Sequence, residues 1–305
     1  MIHGGGHVML SRQDIRPPQT KTLLAAGFLP VSVDYRLCPE MTLLEGPMRD
    51  ACDALAWVRN ILPNLPLQRP DIRVDGSRVV AVGWSTGGHL ALTLGYTAPA
   101  RGIKAPDATL AFYCPTDYED VFWTQPNLPF GQKVINENFN LLEGVFNHPI
   151  TAYNPPASKR ALGGWMNTSD PRSRIALHMN WTGRYLPILL NGLGNAESTA
   201  NSLDPTDELP DPTLEQIQAV SPLAQIRRGA YKVPTFIIHG TKDDLIPWQQ
   251  TVRTHEALKE QGVLAEMRIL DGAVHLFDLY RSYETDEKAR AVVRDAYEFL
   301  RRHVF

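Results

Sequence analysis

The chain has little cysteine. Three residues in 305, Cys38, Cys52 and Cys114, make an odd number with no framework spacing. That excludes a disulfide-stapled secreted scaffold and fits a reducing compartment. There is no C-x-x-C or H-E-x-x-H spacing and the nine histidines are scattered, so no metal site is expected. No uninterrupted apolar run approaches the roughly 18 residues of a membrane-spanning helix, and no secretory leader opens the sequence. An excess of one charge is missing too: 30 Lys and Arg face 33 Asp and Glu, a formal net charge of -3. That balance gives no reason to expect a nucleic-acid or anionic-membrane partner. The expectation is a soluble, cytoplasmic protein that uses no cofactor. Two glycosylation sequons, at Asn167 and Asn180, would then go unread.

What is present is a globular composition, 43% hydrophobic and 21% charged, over a length that allows one large α/β domain or two small ones. A helix-like stretch over 19–26 precedes a strand signal, FLPVSVDYR, over 28–36. MRDACDALAWVRNIL sets Ala51, Leu55, Val58 and Leu62 at helical spacing. RVVAVGW, over 78–84, is the short continuous apolar run of a strand buried on both faces of a parallel sheet. GGHLALTLGYTA then reads as a helix and ATLAFYCP as another buried strand. VPTFIIHG and AEMRIL repeat the strand pattern around a helix over 248–261. Over 286–303, Ala289, Val292, Val293, Ala296, Phe299 and Leu300 fall on one amphipathic stripe. Strands alternating with helices predict an α/β fold, a mostly parallel sheet with helices on both faces. From 116 to 229 the pattern breaks into a stretch rich in Pro, Asn and Trp, too long for a structureless loop. It is read as a helical cap insertion in a core made of 1–115 and 230–305.

GWSTG, over 83–87, fits G-x-S-x-G where a strand pattern passes into a helix pattern. At such an elbow the serine sits in a strained turn with its hydroxyl projecting, and the glycines let neighbouring backbone approach. The alternative for Ser85 is an ordinary helix N-cap. A serine hydroxyl is a weak nucleophile and needs a histidine base and an acid to orient that base. HGTKDDLIP places Asp243, and GAVHLF places His275, just past predicted strands. Carboxyl ends of parallel strands are where ligands bind in open α/β sheets. The order Ser, Asp, His is that of the α/β-hydrolases. As alternatives, Asp243 is a turn aspartate with Asp244 capping the next helix, and His275 a loop histidine. The opening MIHGGGHVML carries three consecutive glycines, each of which gives up more backbone entropy on ordering than any other residue. Glycines 4 to 6 free their N–H groups to meet the oxyanion of an attacked carbonyl, and Thr86 N–H adds a donor. The alternative is a glycine-rich flexible terminus.

With HGGG, VDYRLCPE, GWSTGG, HGTKDDLIP and GAVHLF in place, the chain resembles the hormone-sensitive-lipase-like branch of the α/β-hydrolases over nearly its whole length. HGGG paired with DYRL and PE is specific to that branch; the other motifs are common to the superfamily. More narrowly, GFLPVSVDYRLCPE, TLAFYCPTDY, NPPASKRALGGW and SPLAQIRRG resemble the C-terminal thioesterase or releasing domain of fungal non-reducing polyketide synthases. Those domains take an aromatic polyketide off the acyl-carrier protein, as a thioesterase or by lactonisation. The resemblance implies Ser85 as nucleophile, His275 as base, Asp243 as orienting acid, and Gly5, Gly6 and Thr86 as oxyanion donors. It implies a small-molecule acyl ester or an acyl-carrier-protein thioester as partner. In that family a strand runs into the HGGG loop and others precede it, whereas only Met1 and Ile2 stand before His3. The expectation is that N-terminal strands are missing, from a fragment of a longer polypeptide or a shortened gene product. Neighbours would be left with unpaired backbone groups, each costing about 1–3 kcal/mol if buried.

Three functions are weighed. The first is a serine hydrolase that releases or processes a fungal aromatic polyketide through an acyl-Ser85 intermediate. The second is a stand-alone carboxylesterase of broad specificity. The third is a non-catalytic ligand-binding protein on this fold, or an inactive fragment; such proteins usually lack a triad member, and this chain keeps all three. Elsewhere, Asp34 and Arg36 are expected to form a buried ion pair, His89 to pack in its helix, and Trp84 to pack under the elbow. Trp123, Trp165 and Trp181 either line an acyl pocket or fill the cap. Cys114 is expected buried and inert, and Arg227 and Arg228 solvated.

Overall fold

Four short strands form the centre of the molecule: β1 (Val80–Trp84), β2 (Ala108–Phe112), β3 (Thr235–Gly240) and β4 (Ala265–Leu270). The computed structural model describes residues 1–14, 16–69, 71–129, 141–153, 170–193, 206, 209–279 and 284–305. All strand pairs are parallel, in the order β1-β2-β3-β4, with Val82 opposite Leu110, Leu110 opposite Phe236 and Ile238 opposite Arg268. Among the described residues the α-helices are α1 (Pro17–Ala25), α2 (Arg49–Asn60), α3 (Thr86–Ala100), α4 (Pro171–Thr182), α5 (Tyr185–Asn191), α6 (Leu214–Val220), α7 (Pro222–Arg227), α8 (Trp248–Glu260) and α9 (Glu287–Val304).

The two-faced burial of the inner strands follows from their continuous apolar sequence, because successive side chains point to opposite faces. Val82 and Trp84, Leu110 and Phe112, and Phe236 and Ile238 meet α9 on one face. Ala81, Ala111 and Ile237 face the other way, toward the layer that holds α3, α7 and α8. β4 is half-exposed along its length and is one of the two terminal strands of the sheet; at the other end β1 is bordered by the single bridge of Ile2. α9 carries the predicted stripe: Ala289, Val293, Ala296, Phe299 and Leu300 are buried, and the ring of Phe299 meets that of Phe236 edge-on at 5.5 Å. Its ends suit a helix dipole, with Asp286 accepting the Ala289 amide at 3.0 Å and Arg301, Arg302 and His303 in the last turn.

Two expectations change. The stretch 28–36 is extended chain rather than a strand: only Val33 bridges a neighbour, Ile2, and Pro30 brings no N–H to a ladder. Asp34 and Arg36 do not pair with each other. Asp34 binds Arg12, whereas Arg36 makes a fork on Asp50 of α2 at 2.7–3.1 Å, which satisfies a planar guanidinium better than one neighbour two residues away. Ile2 itself bridges both Val33 and Gly83; its amide donates to the Val82 carbonyl at 2.8 Å. The segment over 116–229 carries α4 to α7. Of these, α7 buries Leu223 and Ile226 with Ala257 and Leu258 of α8, while α4 and α5 pack near the glycine loop at the start of the chain. Asn180 is buried in α4 and donates to the Ala176 carbonyl at 2.7 Å, which leaves no room for a glycan; Asn167 lies outside the described residues.

Removing the Phe299 ring leaves a cavity against Phe236. Phe299→Ala is expected to lower the unfolding free energy by about 3–5 kcal/mol in denaturant titrations. Val121→Ala, at a 66% exposed side chain, is expected to stay within about 0.5 kcal/mol of the parent.

Candidate active site

Ser85 joins β1 to α3 with φ 54° and ψ -129°, a region L-residues rarely occupy. Its amide continues the sheet ladder to the Phe112 carbonyl at 2.9 Å, and its carbonyl accepts the Gly88 amide at 2.8 Å. Gly83 and Gly87 make the bend possible: a Cβ on Gly83 would lie 2.0 Å from the Gly87 carbonyl oxygen, and one on Gly87 2.1 Å from that of Ile2. Ser85 occupies the N-cap position of α3, yet its side chain accepts no amide. Instead Oγ lies 3.1 Å from Nε2 of His275. This geometry separates the two readings of the serine.

His275 stands in the loop after β4 and Asp243 in the loop after β3. Nδ1 of His275 is 2.7 Å from Asp243 Oδ2. A carboxylate only accepts, so Nδ1 carries the proton and Nε2 is free to accept the serine hydroxyl. Oδ1 of Asp243 accepts the amides of Leu245 and Ile246, both at 2.9 Å. Burial pushes this carboxyl up, but the facing His275 and hydrogen bonds from His239 and His275 outweigh it and hold Asp243 well below the ordinary range. The carboxylate therefore stays ionised.

Above the serine, Gly5 (φ +100°) and Gly6 (φ +64°) turn the opening loop, and the Gly5 carbonyl accepts the amides of Val8 and Met9 at 3.0 Å. A Cβ on Gly5 would sit 2.3 Å from the Met9 carbonyl oxygen. Gly5, Gly6, Ser85 and Thr86 line one cavity, and no described residue accepts a hydrogen bond from the amides of Gly5, Gly6 or Thr86. Tyr35, from DYRL, explains why that motif accompanies the glycines. Its hydroxyl lies 3.0 and 3.1 Å from the carbonyls of His3 and Gly4, and its ring stacks on His3 at 4.2 Å. Arg172 of α4, buried and paired with Glu40, donates to the carbonyls of Val8 and Cys38 at 3.1 and 3.0 Å.

The cavity holds about 420 Å³, within the range of small-molecule sites. Met9, Trp123, Met179, Tyr185 and Leu276 make it largely apolar; Gln13, Asp14 and Arg16 add a polar side. Trp123 reaches it with Nε1 anchored 2.7 Å from the Asp117 carbonyl. Trp181 does not line it. Ala176, Met179 and Asn180 of α4 face the cavity, and the next residue is turned about 100° round the helix into the apolar core. Trp165 lies outside the described residues. A second cavity of about 200 Å³, bordered by Phe28, Val31, Leu55 and Val79, shares no lining residue with the first. The other sequence readings resolve simply. Trp84 stacks on Phe112 at 5.4 Å, His89 donates to the Val220 carbonyl at 2.7 Å, and Cys114 is a buried free thiol. Arg227 and Arg228 are exposed.

A model described as the alpha/beta hydrolase fold matches residues 1–142, and one for the prolyl oligopeptidase family matches residues 196–304. Among solved structures, carboxyl esterase 2 of Tuber melanosporum superposes with a TM-score of 0.60 at 18% identity, over 100% of this chain and 77% of that one. An alpha/beta hydrolase superfamily protein of Enterococcus faecalis gives 0.60 at 14% identity, over 98% and 88%. The chain has the α/β-hydrolase fold. Much nearer in sequence are fungal synthases. The chain is 63% identical to non-reducing polyketide synthase adrD of Penicillium rubens, and 56% to 5-methylorsellinic acid synthase of Aspergillus terreus. Both alignments cover all of the chain but 12% of the relative, so it spans about an eighth of their length.

Three groups at the site have no counterpart in the sequence reading. His239 contacts Asp243 Oδ2 at 3.0 Å. Asp278 accepts Tyr113 Oη at 2.6 Å, Gln19 Nε2 at 2.5 Å and Trp84 Nε1 at 2.9 Å. Arg16 lies beside that carboxylate, Nε to Oδ2 3.6 Å, with its guanidinium over the Trp84 ring. The spacing of His239 just before GTKDD was the one available signal; Arg16 and Asp278 gave none. No described helix is long and apolar enough to cross a membrane.

The buried histidines near the glycine loop make stability depend on pH. Burial lowers His3 and His89 to about 4, while the unfolded value is about 6.5. The unfolded chain therefore takes up protons first as pH falls. Stability is full above about pH 6.5 and declines toward pH 4, each group costing about 2 kcal/mol at pH 5. Urea midpoints measured from pH 7 to 5 are expected to fall accordingly, and more shallowly in His89→Gln.

Proposed function

We propose that this hydrolase carries acyl groups on Ser85, cleaving an acyl thioester or ester to release or process an aromatic polyketide. The observation that supports it is one arrangement: Ser85 Oγ 3.1 Å from His275 Nε2, whose Nδ1 is 2.7 Å from Asp243, opening on a cavity bordered by amides from which no described residue accepts a hydrogen bond. His275 Nε2 takes the hydroxyl proton as Oγ attacks the acyl carbonyl. The oxyanion is met by the amides of Gly5, Gly6 and Thr86, where each lost donor raises the barrier by roughly 3–4 kcal/mol. The tetrahedral intermediate collapses, expelling thiol or alcohol, which takes the proton from His275. Water, or a hydroxyl of the acyl chain, then attacks the acyl-Ser85 by the same steps in reverse.

The segment over 116–229 acts in this reading as a cap, with Trp123, Met179 and Tyr185 forming the wall that holds an aromatic acyl group. The names of the relatives support a polyketide acyl group. A carrier-protein thioester in the cytoplasm is the source this reading assigns to it. The broad carboxylesterase is separated from this by substrate preference.

A fluorophosphonate probe is expected to modify the protein at Ser85, and Ser85→Ala to lower kcat by at least about 10⁴-fold. Aroyl thioesters are expected to be turned over with higher kcat/KM than p-nitrophenyl acetate. Absence of both adduct and turnover in the folded wild type would refute the proposal; preference for the short free ester would favour the carboxylesterase.

A further inference from the structure

His239, next to last in β3, is fully buried and presents a second imidazole to the carboxylate of Asp243. Oδ2 thus meets Nδ1 of His275 at 2.7 Å and Nε2 of His239 at 3.0 Å. Nε2 of His239 also lies 3.1 Å from the Ile246 carbonyl. Since carboxylate and carbonyl oxygens only accept, this nitrogen carries a proton and shares it between them. Nδ1 faces the hydroxyl of Thr251 on α8 at 2.8 Å, which donates to it in the neutral ring. Among the described residues those three groups are the polar contacts of the His239 ring. Asp243 is faced in addition by His275 and the amides of Leu245 and Ile246, so both its oxygens accept two bonds each.

We infer that His239 is a positioning residue: its Nε2–H locks Asp243 Oδ2 in the orientation His275 uses, and ties the Ile246 backbone of the cavity wall to the same point. This rests on the reading of Ser85, His275 and Asp243 as the working triad. A ring that merely filled space would hold neither the carboxylate nor that backbone.

The test compares His239→Leu, which keeps bulk and removes the donor, with His239→Gln, which keeps an N–H at similar reach. Both are measured in the whole chain on a p-nitrophenyl ester. His239→Leu is expected to lower kcat about 10–100-fold with KM within about twofold, the size of effect seen when a metal-bound side chain loses the partner that orients it. His239→Gln is expected to restore the rate. Thr251→Val, which only frees the ring to turn, is expected to lower kcat by less, again with KM held, and decides the matter if His239→Leu does not fold. Folded His239→Leu, or Thr251→Val in its place, with parental kcat overturns the inference. So does a His239→Gln as impaired as His239→Leu. A wild type with no ester turnover and no fluorophosphonate adduct overturns the triad reading as well, whereas an active wild type indifferent to these changes overturns the role of His239 alone.

Discussion

The backbone at Ser85 is bent into a conformation that costs on the order of 1–3 kcal/mol, and the site is organised around keeping it so. Three stretches of main chain stack there without side chains between them: the Ile2–His3 carbonyls, Gly83 and Gly87. Ladder bonds from Ile2 and Phe112 hold the bend from both sides. The result is a serine at the N-cap position that caps nothing, its hydroxyl directed instead at an imidazole. Any side chain at either glycine would separate the layers and release the bend.

Around that point, buried polar groups connect parts of the chain that are far apart in sequence. Tyr35 supports the glycine loop from beneath, and Arg172 grips it from α4 while pairing with Glu40. Asp278 gathers α1, the elbow tryptophan and the end of β2 within three residues of His275. Buried charges of this kind contribute little net stability when complete, but leaving one partner unpaired costs about 3–5 kcal/mol. They fix geometry more than they add to the free energy of folding. Rigid placement of donors before the substrate arrives is what lowers a barrier through developing charge.

The legible parts of this fold share one property: their cause is local. β1, β2 and β3 announce themselves because both faces are apolar, and α9 because its stripe is unbroken from Ala289 to Leu300. The elbow is visible because a tight bend needs glycine at two fixed offsets. The stretch over 28–36 has strand composition but a single ladder contact, since a strand exists only where a neighbour lies beside it. Asp34 and Arg36 look like partners in the sequence, yet Arg12 and Asp50 reach them with better geometry. Trp181 was one of three equivalent tryptophans until the rotation of α4 turned it into the core.

Periodicity, turn chemistry and the order of motifs were therefore enough to read an α/β chain with a parallel sheet, because each depends on residues within a few positions of one another. They also named Ser85, Asp243 and His275, and the folded chain brings the serine and the aspartate to the two nitrogens of the histidine, across as many as 190 residues. Folding alone determined the groups that surround them: His239 and Thr251 behind the carboxylate, Tyr113 against the imidazole with Asp278 and Arg16 on its hydroxyl, Trp123 rather than Trp181 at the cavity. Such neighbours are selected by where separate elements dock, and docking depends on the packing of the whole core rather than on any run of adjacent residues.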